Sequence, residues 1–177
     1  MVLLSNCQSK KGLGLKNNEL KHVILNSTAE YVLALDALCG QAKQNLIIFE
    51  KDFTNIGFNS AARLEVLRNF LLANPNNRFH LLAHDARPMS QYCPRLMTLL
   101  NQFNHNMFIF QTPKILQRIT EPFAVADESE YVRRYHFNDS RGILAHNDGS
   151  NARLLISRFM EMWGVSKPSV LTSTFKL

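Results

Sequence analysis

Residues 45–50 read Asn-Leu-Ile-Ile-Phe-Glu, four consecutive apolar side chains with no helical period, bounded by an amide and a carboxylate. So short an apolar run predicts a strand buried on both faces, and it sets the frame for what surrounds it. Upstream, Ser27-Thr-Ala-Glu30 is a capping box that opens a helix carrying Tyr31, Val32, Leu35 and Leu38 and weakening at Gly40. Downstream comes a loop rich in Asn, Gly and Thr. Asn59 or Ser60 then caps a helix with Leu64, Leu67, Phe70 and Leu71, stopped by Asn74-Pro75-Asn76-Asn77. Arg78–His84 predicts a second strand. Pro94 suits the first turn of a helix holding Leu96, Met97, Leu99, Leu100 and Phe103, and Asn106–Gln111 a third strand. Strands separated by helix-length crossovers pair in parallel, in a sheet covered on both sides.

The second half changes character. Phe123–Ala126, Tyr131–Tyr135 and Gly142–Ala145 are short strand candidates between polar turns. A last helix starts near Ser150, is expected to bury Leu154, Leu155, Phe159, Met162 and Trp163, and closes at Gly164 and Pro168. The expected fold is α/β: a mixed, largely parallel sheet flanked by helices on both faces.

At 177 residues the chain suits one domain, and 46% apolar with 19% charged residues excludes a disordered protein. No apolar run approaches the roughly 18 residues of a membrane span. Cys7, Cys39 and Cys93 show no CxxC spacing, so neither a disulfide framework nor a zinc knuckle is implied, and Cys39 and Cys93 read as small core hydrophobes. The opening MVLLSNC lacks the basic region and the apolar length of a secretion signal, and a reducing, cytoplasmic setting is expected. Residues 1–26 read as a poorly ordered basic leader, 27–165 as the domain and 166–177 as a tail. Lys10, Lys11, Lys16 and Lys21 against Glu19 hold half of the net charge of +6 in twelve residues, a solvated tail more than a folded basic face. A nucleic-acid partner is not expected, because such readers concentrate cations on a folded surface among aromatic side chains.

Ligands of open parallel sheets bind beyond the carboxyl ends of the strands. Those ends carry Glu50-Lys51-Asp52, His84-Asp85, Gln111-Thr112, Asp127 and His146-Asn147-Asp148. If they converge, they suit acid/base chemistry or a divalent metal; if not, Asp and Asn are ordinary turn residues. Glu50-Lys51-Asp52-Phe53-Thr54 resembles the Asp-x-Asp-x-Thr signature of haloacid-dehalogenase-type phosphatases, but with Glu50 at the nucleophile's position. The extra methylene misplaces the attacking oxygen. Arg133 and Arg134 are strand neighbours and so point to opposite faces. One of them could meet a phosphate or carboxylate as a planar fork, or pair with Glu128 or Glu130 at the surface.

Further along, Thr120-x-Pro122-x(4)-Asp127 precedes a closing helix with Phe159-Met-Glu-Met-Trp163. In this the second half resembles a phospholipase D-type half-domain, a family that presents His-x-Lys-x(4)-Asp at a strand and often ends in a Phe-x-x-x-Trp helix. The run from Asn45 to Gln111, with His84-Asp85-Ala86-Arg87-Pro88 inside it, is similar to short bacterial phospholipase D-like domains of unknown function. The resemblance spans about residues 27–165. In that family the histidine attacks the phosphodiester and the lysine neutralises phosphate. Thr120 has no base to activate it and Pro122 has no charge, so the resemblance implies a relative that keeps the fold without the chemistry.

The leading expectation is therefore a non-catalytic binding or regulatory module for a phosphate-containing or other anionic ligand. His84, Asp85, Arg87, Asp127, Arg133 and Arg134 are the candidate contacts, and no cofactor or metal is required. One alternative is a phosphate-ester hydrolase with a relocated site around His84, Asp85 and Asp52, with Glu50 and His146 as further acid/base or metal candidates. Another is a protein–protein interaction domain. The family pairs two half-domains across a pseudo-twofold axis, so a single half implies a homodimer.

Overall fold

The structure is a computed structural model and describes residues 19–169. The eight strands are β1 (Lys21–Leu25), β2 (Asn45–Glu50), β3 (Arg78–Ala83), β4 (Met107–Gln111), β5 (Phe123–Ala126), β6 (Glu130–Arg134), β7 (Gly142–His146) and β8 (Lys167–Pro168). The helices are α1 (Thr28–Gln41), α2 (Ala61–Ala73), the single turn α3 (Met89–Tyr92), α4 (Pro94–Gln102) and α5 (Gly149–Gly164). The strands form one sheet in the order β1-β7-β6-β5-β2-β3-β4-β8.

The expected mixed sheet with helices on both faces is present, with a different balance. Only β2–β3 and β3–β4 pair in parallel; the other five pairings are antiparallel. The reason is connection length. Helix-bearing crossovers return the chain in the same direction, whereas the short turns after β5 and β6 can only make antiparallel neighbours. β2 is the hinge between the two regimes, parallel to β3 on one side and antiparallel to β5 on the other.

The NLIIFE run is buried from Leu46 to Glu50, as its pattern demanded. Leu46 and Ile48 join Leu81, Ile109 and Val132 under α1, α2 and α4. Ile47 and Phe49 join Leu82, Phe123 and Val125 under α5. Ser27 accepts the Glu30 N–H at 3.2 Å, and Glu30 accepts the Asn26 N–H at 2.8 Å, so the capping box closes one residue early. Ser60 is the N-cap of α2 without a side-chain bond, while Asn59 Oδ1 accepts the Arg95 N–H.

Three expectations are corrected. Lys21–Leu25, assigned to the leader, is the edge strand β1, in register with β7 from Lys21↔His146 to Leu25↔Gly142. Lys167 and Pro168, assigned to the tail, pair with β4. On α5, Phe159 and Met162 are buried, but Leu154 faces solvent and Trp163 is half-buried, stacked on Phe110 at 3.9 Å. Residues 1–18 and 170–177 lie outside the described residues, and so does the rest of the leader and tail assignment.

Arg63 is a core arginine that the helical pattern gave no reason to single out. It donates to Asp36 Oδ1 at 2.6 Å and to the carbonyls of Val32 and Ile56. Gly57 has φ +83°, and a Cβ there would lie 3.1 Å from the Arg63 guanidinium, so a side chain would bring both backbone strain and a tight contact. Through these contacts α1 and α2 hold the loop after β2 in place.

Candidate functional site

Strand direction sorts the candidate residues. β2, β3 and β4 end at one edge, and β6, two antiparallel steps from β2, ends there as well. Glu50, His84, Thr112 and Arg134 therefore share an edge. β5 and β7 run the other way, so Asp127 and His146 lie at the opposite edge and take no part in a common site.

Each of those two has local work. Asp127, at φ +56°, accepts the backbone N–H groups of Lys43, Gln44 and Asn45 at 3.1, 2.8 and 3.0 Å, and so closes the turn between α1 and β2. His146 Nδ1 lies 2.6 Å from Glu130 Oε2. Beside them Asp148 caps α5 and meets His22 at 2.9 Å and the Tyr131 hydroxyl at 3.1 Å. Its carboxyl is held down at about 2, first by the Asn151 side chain and then, against the cost of burial, by His22.

At the shared edge the sheet's two faces separate the rest. Glu50 and Arg134 point toward α1. Phe49 faces Phe123 in register, and Phe123 faces Arg133; the Arg134 N–H donates to Pro122 O at 3.0 Å. Glu50, Pro122 and Arg134 are thus neighbours across β2, β5 and β6, and the ion pair bridges the proline. Arg134 Nη2 donates to both Glu50 oxygens at 3.0 and 3.2 Å, the Tyr31 hydroxyl donates to Oε1 at 2.9 Å, and the Lys51 N–H donates to Oε2 at 3.3 Å. The guanidinium also lies 4.5 Å above the Tyr31 ring. Side-chain exposure is only 4% for Glu50 and 7% for Arg134, so neither charge is solvated and each depends on the other. Burial pushes the Glu50 carboxyl up, against Arg134, which pulls it down. Burial and the Glu50 charge raise the Tyr31 hydroxyl well above its ordinary value.

Above this group opens a pocket of about 240 Å³, whose lining includes Thr28, Glu50, Lys51, Asp52, Asn55 and Arg134. Asp52 accepts from the Thr54 N–H at 3.1 Å and its hydroxyl at 2.8 Å, a turn rather than a phosphatase site.

His84 points to the other face, between Phe49 and Phe137. Its Nε2 is 2.6 Å from Ile119 O, which can only accept, so Nε2 carries the proton and Nδ1 takes the Thr112 hydroxyl, also at 2.6 Å. Burial lowers its pKa, opposed by the Ile119 bond. The neutral ring has no nitrogen left for a substrate. Asp85 and Arg87 form an exposed fork with each other, at 2.9 and 2.7 Å, clear of the pocket. Arg133 faces α5 as the alternation requires, and its buried Nε has no hydrogen-bond partner among the described residues. Of the candidates, two pairs meet directly: Glu50 with Arg134 at the pocket, with Asp52 beside them, and Asp85 with Arg87 away from it. Tyr31 was legible in the sequence only as a core aromatic. No group of three His, Cys, Asp or Glu suited to a metal occurs among the described residues.

Residues 27–173 match the profile described as a domain of unknown function, DUF7931. The chain belongs to the DUF7931 family. No curated protein matches it. Solved structures do. Nuc from Salmonella typhimurium, a phospholipase D family member, aligns with a TM-score of 0.65 at 10% identity, over 85% of the DUF7931 chain and 99% of Nuc. TrmBL2, an archaeal chromatin protein, gives 0.64 at 11%, over 84% of this chain and 55% of its own. The phosphatidylserine synthase of Haemophilus influenzae Rd KW20 gives 0.61 at 14%, over 92% of this chain and 41% of its own. The DUF7931 chain thus spans about half or less of the last two proteins. These likenesses establish the phospholipase D fold. No described helix is long and apolar enough to cross a membrane.

Proposed function

We propose that this chain is a non-catalytic module on the phospholipase D fold, which binds a phosphate-containing or other anionic ligand in the pocket above Glu50 and Arg134. One observation carries the reading. Where the family resemblance places the lysine, this chain has Pro122, buried and bridged by an ion pair from the two adjacent strands, and the nearby histidine has both nitrogens occupied. A nucleophile needs a free lone pair and a base within reach, and neither is on offer. The pocket's lining does include two cationic residues, Lys51 and Arg134, the second of them paired with Glu50. The relocated-site hydrolase is disfavoured because His84 and Glu50 occupy opposite faces of the sheet and His146 the opposite edge.

Purified protein should not hydrolyse bis-p-nitrophenyl phosphate above background, with or without divalent metal. Turnover that His84→Ala abolishes would reinstate the hydrolase. The same reading includes a homodimer, since the chain matches nearly the whole of Nuc but 41% of the synthase, the span of one half. TrmBL2 has a DNA-binding mode, so the expectation against nucleic acid finds no support among the neighbours. A DNA titration belongs beside the anion assay.

A further inference from the structure

The donors around Glu50 are arranged as they would be around a bound oxyanion. Two bonds from one guanidinium nitrogen, the Tyr31 hydroxyl and the Lys51 backbone N–H all converge on its two oxygens. Carboxylate and phosphoryl or sulfuryl oxygens present the same acceptor geometry to such a cradle. Above it, the Thr28 hydroxyl, the Lys51 ammonium and the Asn55 and Asn138 amides line the pocket without side-chain partners among the described residues. While Glu50 is charged, the pair is internally neutral, and a second anion meets repulsion from Glu50 and Asp52. With Glu50 neutral, Arg134 is a buried cation without a counter-charge, a costly state that an entering oxyanion relieves.

We propose that Glu50 is a resident anion: it supplies to Arg134 and Tyr31 the negative charge that a tetrahedral oxyanion, free or as a phosphomonoester, supplies from the pocket above them when Glu50 is neutralised. The inference rests on the reading of this edge as an anion site and adds that the site is closed by the chain's own carboxylate. The groups facing Glu50 are Tyr31 from α1, Arg134 from β6 and Lys51 and Asp52 from the loop; Pro122, just before β5, adds no titratable group.

Sulfate, a dianion at every pH used, is the probe, titrated by calorimetry and thermal shift into the full chain. Glu50→Gln should bind it at least about tenfold more tightly than wild type at neutral pH, the scale of a charge-assisted contact. The double variant Glu50→Gln/Arg134→Gln, a neutral pair of the same shape, should lose that gain. If Glu50→Gln does not fold, the wild type serves: its sulfate affinity should rise as the pH is lowered, as protonation of a carboxyl pushed up by burial requires. Arg134→Gln should show no such rise. A Glu50→Gln affinity equal to wild type, a gain that survives in the double variant, or a flat wild-type pH profile overturns the inference. Strong wild-type binding unchanged by Glu50→Gln would do so while leaving the anionic module standing. Binding by Glu50→Gln, with a wild type that ignores sulfate at neutral pH and gains it as the pH falls, sustains the inference and removes the module reading of the resting chain.

Discussion

Asp127, which the resemblance sets at the aspartate of His-x-Lys-x(4)-Asp, has a structural task at the edge away from the pocket. Its carboxylate takes three backbone N–H groups, from Lys43, Gln44 and Asn45, and its own backbone sits at φ +56°. A hydrogen bond to a charged group contributes roughly 1.5–3 kcal/mol when dry, but these amides border solvent and water replaces part of each bond, leaving about 2 kcal/mol for the set. Alanine at positive φ adds about 1 kcal/mol, a strain that Asp and Asn tolerate. Asp127→Ala should therefore lose about 3 kcal/mol, lowering the melting temperature by roughly 6–12 °C for a domain of this size. Asp127→Gly removes the bonds without the strain and should lose about 2 kcal/mol. Asp127→Asn keeps one acceptor and should lose about 1 kcal/mol. Urea denaturation at neutral pH measures all three. A loss below about 0.5 kcal/mol for Asp127→Ala, the scale of an indifferent surface substitution, would refute the reasoning.

Phe159→Ala should cost about 3–5 kcal/mol, since Phe159 is fully enclosed between α5 and the sheet, whereas Trp163→Ala should cost less because the indole is only partly buried; denaturation midpoints in the reverse order would show the packing is misread. Burial between Phe108 and Trp163 holds His80 at about 4. Below an unfolded value of about 6.5 the unfolded chain then binds the extra proton first, so stability should fall as pH drops from there toward 4, and His80→Phe should flatten that slope. A Cβ at Gly142 would collide with the Arg133 carbonyl in the β6–β7 pairing, so Gly142→Ala should be destabilised; unchanged thermal melting would contradict the register. Light scattering should return twice the 20.3 kDa mass of the chain, and a monomer would end the dimer reading.

Much of the fold was legible because its signals are local. The NLIIFE run, the Ser27 cap and the proline opening α4 each fix an element through residues a few positions apart. β1 was not legible: Lys21-His-Val-Ile-Leu25 is a five-residue edge strand with one buried side chain, so it has neither alternation nor an apolar run to announce it. The site failed differently. Strand ends can be listed from sequence, but whether two of them meet depends on strand direction, and direction depends on pairing partners far away in the chain. Asp127 and His146 were grouped with Glu50 because a largely parallel sheet would have put them there. The alternation that sends Arg133 and Arg134 to opposite faces, by contrast, needs no tertiary knowledge.

β1 and β7 join across the whole domain, His22 meeting Asp148 over a separation of 126 residues. On a ribosome adding roughly 5–20 residues per second, β1 waits many seconds for its partner β7 to emerge. Until then its apolar residues have no sheet to join, and the loop closed by its docking carries the largest entropic penalty in the fold. Among the described strands the one made earliest is in this sense the last to be placed, and the α1–β2–α2–β3–α4–β4 segment can assemble in order of synthesis without it. A nascent chain stalled before Gly142 would hold that parallel layer with β1 still at large, a stage at which a chaperone or a neighbouring chain has an unpaired strand to capture.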